Sequence, residues 1–121
     1  GGEGTDTASY AASSAAVTAY LDGTAGTGAD AQGDTLSGIE NLVGSAFDDT
    51  LVGDDQDNVL TGGAGADRID GGAGIDSATF ADSKVGVTVY LDGREGAGGD
   101  AQGDTYVRVE RLTGSAFDDR L

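Results

Sequence analysis

Through the centre of the chain one aliphatic residue recurs every nine positions, set in small and polar sequence. Written from each leading glycine, the units are GSAFDDTLV (44–52), GDDQDNVLT (53–61), GGAGADRID (62–70) and GGAGIDSAT (71–79). The first position is always glycine: Gly44, Gly53, Gly62 and Gly71. The sixth is Asp49, Asn58, Asp67 and Asp76, and the eighth is Leu51, Leu60, Ile69 and Ala78. The same frame opens the chain with Asp6 and Ala8 and closes it with Asp119 and Leu121. Three residues around each eighth position make a minimal strand, in which alternate side chains face opposite ways. The four aliphatics are expected to point inward and their flanking residues outward. A strand this short is stable only when stacked in a coil. Two units per turn would put units nine residues apart on opposite sheets and units eighteen apart side by side, with all strands parallel. The fold class predicted is all-β, a β-solenoid of stacked short strands joined by Gly/Asp turns.

A second, longer period changes the organisation. Residues 1–51 align without a gap on residues 71–121, with 30 of 51 positions identical. That identity makes the chain one segment, 1–121, built as a 70-residue super-repeat around the nonapeptide core 44–79. Between the nonapeptides lie two long inserts. Val87, Val89 and Leu91 alternate with Thr88 and Tyr90, which predicts one longer strand, repeated at 17–21. Ile39 with Leu42, and Val109 with Leu112, predict a further inward-facing strand in each copy. Between them run Gly-rich loops at 22–34 and 92–104, whose Asp22, Asp30, Asp34, Asp92, Asp100 and Asp104 suit either turn formation or ion binding.

Charge turns this pattern into a chemical question. Of the 121 residues, 22 are acidic and 6 basic, a formal net charge of −16. Eighteen of the acids are Asp, and residues 1–67 carry twelve carboxylates and no Lys or Arg. Packing that half costs self-repulsion unless something positive enters. Without a cation the expected state is a disordered Gly/Asp-rich chain. The absence of His and Cys removes zinc-thiolate sites, disulfides and the usual general base or nucleophile. Scarce Lys and Arg argue against nucleic acid, and no apolar run is long enough for a membrane span. No EF-hand loop, dinucleotide fingerprint or activated serine is present. A carboxylate pair of the glycosidase kind would need a pocket that a thin roll does not offer. The protein is not expected to be an enzyme.

The six-residue Gly/Asp parts become the turns. Their glycines permit backbone angles that point carbonyl oxygens inward, beside the sixth-position carboxylate. Two stacked turns then offer carboxylates and carbonyls to one spot. An all-oxygen, flexible, many-ligand set selects calcium over zinc, copper or magnesium. The simpler reading, in which each Asp only caps its turn, does not explain stacked like charges with no basic partner.

GGAGADRID and GGAGIDSAT resemble the G-G-x-G-x-D-x-U-x nonapeptide of the RTX (repeats-in-toxin) calcium-binding family; the units at Gly44 and Gly53 are degenerate copies. The resemblance implies a right-handed parallel β-roll (a parallel β-helix) with several Ca2+ ions, each shared by turns eighteen residues apart. It pairs Asp49 with Asp67 and Asn58 with Asp76, the shells being completed by backbone near Gly63, Gly65, Gly72 and Gly74. Asp6 and Asp119 would serve the outer turns. It also implies a module of a secreted, extracellular bacterial protein exported by type I secretion, partnered by calcium and the rest of its parent protein. Two other roles are compatible: a carbohydrate-binding solenoid, favoured only by the cluster Arg94, Arg108, Arg111 and Arg120, and a spacer of an adhesin or surface-layer protein. A chain that starts and stops within the repeat is expected to be an excerpt of a longer array and to stack end to end on other copies.

Overall fold

The computed structural model describes residues 2–121. Gly1, the leading glycine of the opening unit, lies outside the described residues. Nine three-residue strands are found among those residues: β1 (Thr7–Ser9), β2 (Thr18–Tyr20), β3 (Asn41–Val43), β4 (Thr50–Val52), β5 (Val59–Thr61), β6 (Arg68–Asp70), β7 (Ser77–Thr79), β8 (Thr105–Val107) and β9 (Arg111–Thr113). They form two parallel sheets, ordered β1-β3-β5-β7-β9 and β2-β4-β6-β8. The protein is a parallel β-roll.

Through the nonapeptide core the pairing steps by eighteen residues, as the nine-residue phase requires. Leu42 lies opposite Leu60 and Leu60 opposite Ala78, and in the other sheet Leu51 lies opposite Ile69. The inward column of the first sheet is therefore Ala8–Leu42–Leu60–Ala78–Leu112. That of the second is Ala19–Leu51–Ile69–Tyr106. Leu42, Leu51, Leu60 and Ala78 are wholly buried and Ile69 almost so. Burial of each large aliphatic contributes about 1.5–3 kcal/mol, the main favourable term for strands too short to persist alone.

The inserts depart from the expected longer strands. Only Thr18–Tyr20 is a strand in the first copy. In the second, Thr88 makes single bridges, parallel to Arg120 and antiparallel to Ala97. Val87 and Val89 do face the core, but Leu91 is exposed. The Gly-rich loop folds back through the Thr88–Ala97 bridge and a short 3-10 turn at Gly99–Ala101. Its return segment, β8, then takes the place beside β6 that residues 87–91 would have filled. The same fold-back occurs in the first copy, through the Thr18–Thr27 bridge and the 3-10 turn at Ala29–Ala31. Tyr106 of β8 brings a large side chain into that layer, edge-on to Phe80 with ring centres 6.0 Å apart. The strands expected at Ile39/Leu42 and Val109/Leu112 are present as β3 and β9, shifted to begin at Asn41 and Arg111.

Candidate metal centre

The residue immediately before a strand closes each turn. Before β1, β3, β4, β5, β6, β7, β8 and β9 stand Asp6, Glu40, Asp49, Asn58, Asp67, Asp76, Asp104 and Glu110. These side chains form two columns, one along each edge of the roll, tied by backbone amides. On one edge Val17 N–H donates to Asp49 Oδ1 (2.9 Å), Asp49 N–H to Asp67 Oδ1 (2.9 Å) and Asp67 N–H to Asp104 Oδ1 (2.7 Å). On the other, Asp6 N–H donates to Glu40 Oε2 (2.8 Å), Asn58 N–H to Asp76 Oδ1 (2.8 Å) and Asp76 N–H to Glu110 Oε2 (2.9 Å). The pairs Asp49/Asp67 and Asn58/Asp76 are thus neighbours in their columns.

The leading glycines are required by space. A Cβ on Gly44 would lie 2.5 Å from Asp49 Oδ2 and 2.7 Å from the Gly62 carbonyl, and one on Gly71 would lie 2.6 Å from Asp76 Oδ2. None of Gly44, Gly53, Gly62 and Gly71 has a positive φ, so the freedom expected of glycine there is not what the turn uses. Gly63, Gly65, Gly72 and Gly74 do use it, with φ between 87° and 104°. They also sit against the turn below. A Cβ on Gly63 would meet Ser45 O at 2.8 Å, one on Gly65 would meet Phe47 O at 2.6 Å, and one on Gly74 would meet Gln56 O at 2.7 Å. The carbonyls of one turn therefore press on the glycines of the next.

Within this frame two atoms stand apart. Asp67 Oδ2 and Asp76 Oδ2 are buried without a hydrogen-bond partner. Burial pushes the Asp67 carboxyl up to about 8, with Asp104, Asp49 and Asp48 adding repulsion. Burial likewise raises Asp76 to about 6, with Glu110, Asp57 and Asp54 nearby, and Asp104 to about 7. A buried carboxylate oxygen without a donor is costly, and here neighbouring acids deepen the cost. A hard cation would relieve both terms. Among the described residues no three carboxylates converge tightly enough to hold an ion by themselves. The donor set that fits is one orphaned carboxylate oxygen per turn with stacked backbone carbonyls, all hard oxygen, as calcium takes.

The other expected ligands are differently placed. Asp49 Oδ1 accepts the Ser45 hydroxyl (2.6 Å) and Asp49 Oδ2 accepts Ser45 N–H (2.7 Å). Asp119 is held in the same way by Ser115, which keeps its carboxyl below the usual range. Asp6 Oδ2 accepts Gly2 N–H, and Asn58 Oδ1 accepts Asp54 N–H. In the long loops Asp22 caps Thr24 N–H, Asp92 pairs with Arg94, and Asp34 accepts the Tyr10 hydroxyl. Asp30 and Asp100 sit in the 3-10 turns, with their N–H groups on Ser13 and Ser83. Glu40 and Glu110 were missed by a frame anchored on leading glycines. The signal that marks them, and also marks Asp104, is an acid directly before a strand triplet.

Residues 43–78 match the family model of the RTX calcium-binding nonapeptide repeat, in four copies. Both orphaned oxygens lie in this matched stretch, and the repeats of that family bind calcium ions. The family is a structural calcium-binding repeat and not an enzyme family. No curated protein matches the chain. No helix among the described residues is long and apolar enough to cross a membrane.

Proposed function

We propose that the chain is a calcium-dependent structural module of a secreted bacterial protein, compact when calcium is bound outside the cell and unfolded where calcium is scarce. The observation that carries this is the pair of buried, unpartnered carboxylate oxygens at Asp67 and Asp76, both in turns of the matched repeat. Asp67 and Asp76 would supply the charged ligands. Backbone around Gly63 and Gly65, and around Gly72 and Gly74, would complete the shells together with the turns at Gly44 and Gly53. When bound, calcium supplies positive charge and oxygen coordination inside the turn. The chain's own part is to hold the two Oδ2 atoms in place through Asp49 N–H and Asn58 N–H, which anchor the partner Oδ1 atoms. A site that exists only in the folded chain makes binding free energy into folding free energy. Export of an unfolded chain and folding at millimolar extracellular calcium follow from that coupling.

Two of the four clustered arginines are already engaged, which weakens a sugar-binding reading. Arg108 is spent on Asp70 and Arg94 on Asp92 and the face of Tyr90. End-to-end stacking belongs to the proposal, because β1 and β9 are the outer strands of their sheet. A monodisperse monomer at roughly millimolar protein and saturating calcium would contradict it. The central test is a calcium titration followed by far-UV circular dichroism, with magnesium as control. A cooperative coil-to-β transition with calcium alone is expected. A spectrum unchanged from chelator to about 10 mM calcium would overturn the proposal.

A further inference from the structure

We propose that only Asp67 and Asp76, in the turns at Gly62 and Gly71, give a carboxylate to a cation, and that Ser45 and Ser115 satisfy the sixth-position acids of the turns at Gly44 and Gly114 in its place. This rests on the calcium reading and specifies which turns it applies to. A buried carboxylate must be met by donors or by positive charge. Asp49, almost fully buried, has three donors: the Ser45 hydroxyl, Ser45 N–H and Val17 N–H. Asp119 repeats the arrangement seventy residues later, with Ser115 Oγ at 2.6 Å, Ser115 N–H at 2.8 Å and Val87 N–H at 2.9 Å. The same geometry arising twice, from GSAFDD in both copies, is a built device and not an accident of one turn.

The remaining turns fall to one side or the other by the same criterion. Asn58 carries no charge; its Oδ1 takes Asp54 N–H and its Nδ2 donates to the Glu40 carbonyl at 3.2 Å. Asp104 is met by Asp67 N–H and by the Tyr106 hydroxyl at 2.8 Å. Asp6 is met by Gly2 N–H. In each of the turns closing on Asp6, Asp49, Asn58 and Asp119, the second residue's N–H returns to the turn's own sixth side chain. In the turns closing on Asp67 and Asp76 the second residue is Gly63 or Gly72 in the left-handed region. Gly72 N–H there goes to Asp70 instead, and the Oδ2 atoms of Asp67 and Asp76 have no partner. The second position therefore decides the chemistry of the turn. Serine closes it with a hydroxyl and an amide, and left-handed glycine opens it for an ion. The roll combines polar-capped layers, which need no metal, with two layers that do.

The test is the number of calcium ions bound per chain, by equilibrium dialysis with radioactive calcium, read beside circular dichroism. Two ions are expected for the wild type, one per orphaned oxygen. Asp67→Asn and Asp76→Asn should each lower the count by one. Ser45→Ala and Asp119→Asn should leave it at two. Asp119 is the more exposed of the capped acids, so Asp119→Asn stays readable even where Ser45→Ala does not fold. A wild-type count above two, or a bound ion lost in Asp119→Asn, overturns this partition while leaving the calcium reading intact. A wild type that binds no calcium overturns both.

Discussion

Replacing Asp67 by asparagine should change stability in opposite directions with and without calcium. In the folded chain the Asp67 carboxyl titrates near 8, against an ordinary 3.8, chiefly because it is buried. The unfolded carboxyl loses its proton near pH 4, and the folded one holds it until near pH 8. Between those values the folded state binds more protons, so stability falls as pH rises. The displacement is worth roughly 5 kcal/mol against the metal-free fold once the pH exceeds 8. Asparagine removes that penalty and keeps an oxygen to accept Asp49 N–H. Its amide nitrogen, set where Oδ2 finds no partner, returns about 2 kcal/mol of cost. The net expectation in chelator is a gain of roughly 3 kcal/mol at pH 8, which crosses zero as the pH falls and becomes a loss of roughly 2 kcal/mol near pH 4. In calcium the same change removes a charged ligand, and the half-saturating calcium concentration should rise at least about tenfold, near 1.4 kcal/mol. The assay is urea unfolding by circular dichroism at pH 4.5 and pH 8, in chelator with a stabilising osmolyte and in saturating calcium. A variant less stable than wild type in chelator at pH 8, or one with the wild-type pH slope, would mean that the buried Asp67 charge does not oppose the metal-free fold.

Three further outcomes follow from the packing. Gly65→Ala puts a Cβ 2.6 Å from the Phe47 carbonyl oxygen at φ 104°, whereas Gly93→Ala at φ 91° meets open space; thermal melts should show a loss of about 3 kcal/mol or more for the first and about 1–2 kcal/mol for the second, and equal losses would count against close stacking of the turns. Leu60→Ala empties the centre of a column between Leu42 and Ala78, and should cost about 2–5 kcal/mol without altering the number of calcium ions bound. Arg108→Gly relieves a non-glycine φ of 53° at the position where the first copy has Gly38, but gives up the solvent-facing pair with Asp70. The two effects should cancel to within about 1 kcal/mol in urea unfolding, and a loss beyond 2 kcal/mol would mean the ion pair matters more than its exposure allows.

The two Gly-rich loops are nearly identical in sequence and differ in burial. Asp34 and Asp104 occupy equivalent positions in nearly identical stretches. Asp104 is wholly buried and accepts Asp67 N–H, while Asp34 is exposed and binds Tyr10. Asp104 is covered through the β6–β8 pairing with residues 37 positions earlier, and the position 37 before Asp34 falls ahead of residue 1. Leu21 is buried beside Val52, whose O accepts its N–H, and the matching position for Leu91, 122, lies past residue 121. Local pattern cannot separate members of such pairs, because their burial belongs to neighbours far along the chain.

The nine-residue phase by itself determined the short parallel strands, the eighteen-residue step and the inward positions of Leu51 and Ile69 in one sheet and of Leu60 and Ala78 in the other. Each follows from backbone geometry: alternate side chains face opposite ways, and strands of three residues must stack to survive. It also determined that carboxylates would line the turns, since their positions are written in the repeat. Which carboxylates are satisfied was decided only by the tertiary structure. Ser45 closes on Asp49, Tyr106 reaches Asp104, and nothing reaches Oδ2 of Asp67 or Asp76. A hydrogen bond depends on ångström distances and donor direction, which emerge when the layers stack and are not carried by residue type or spacing.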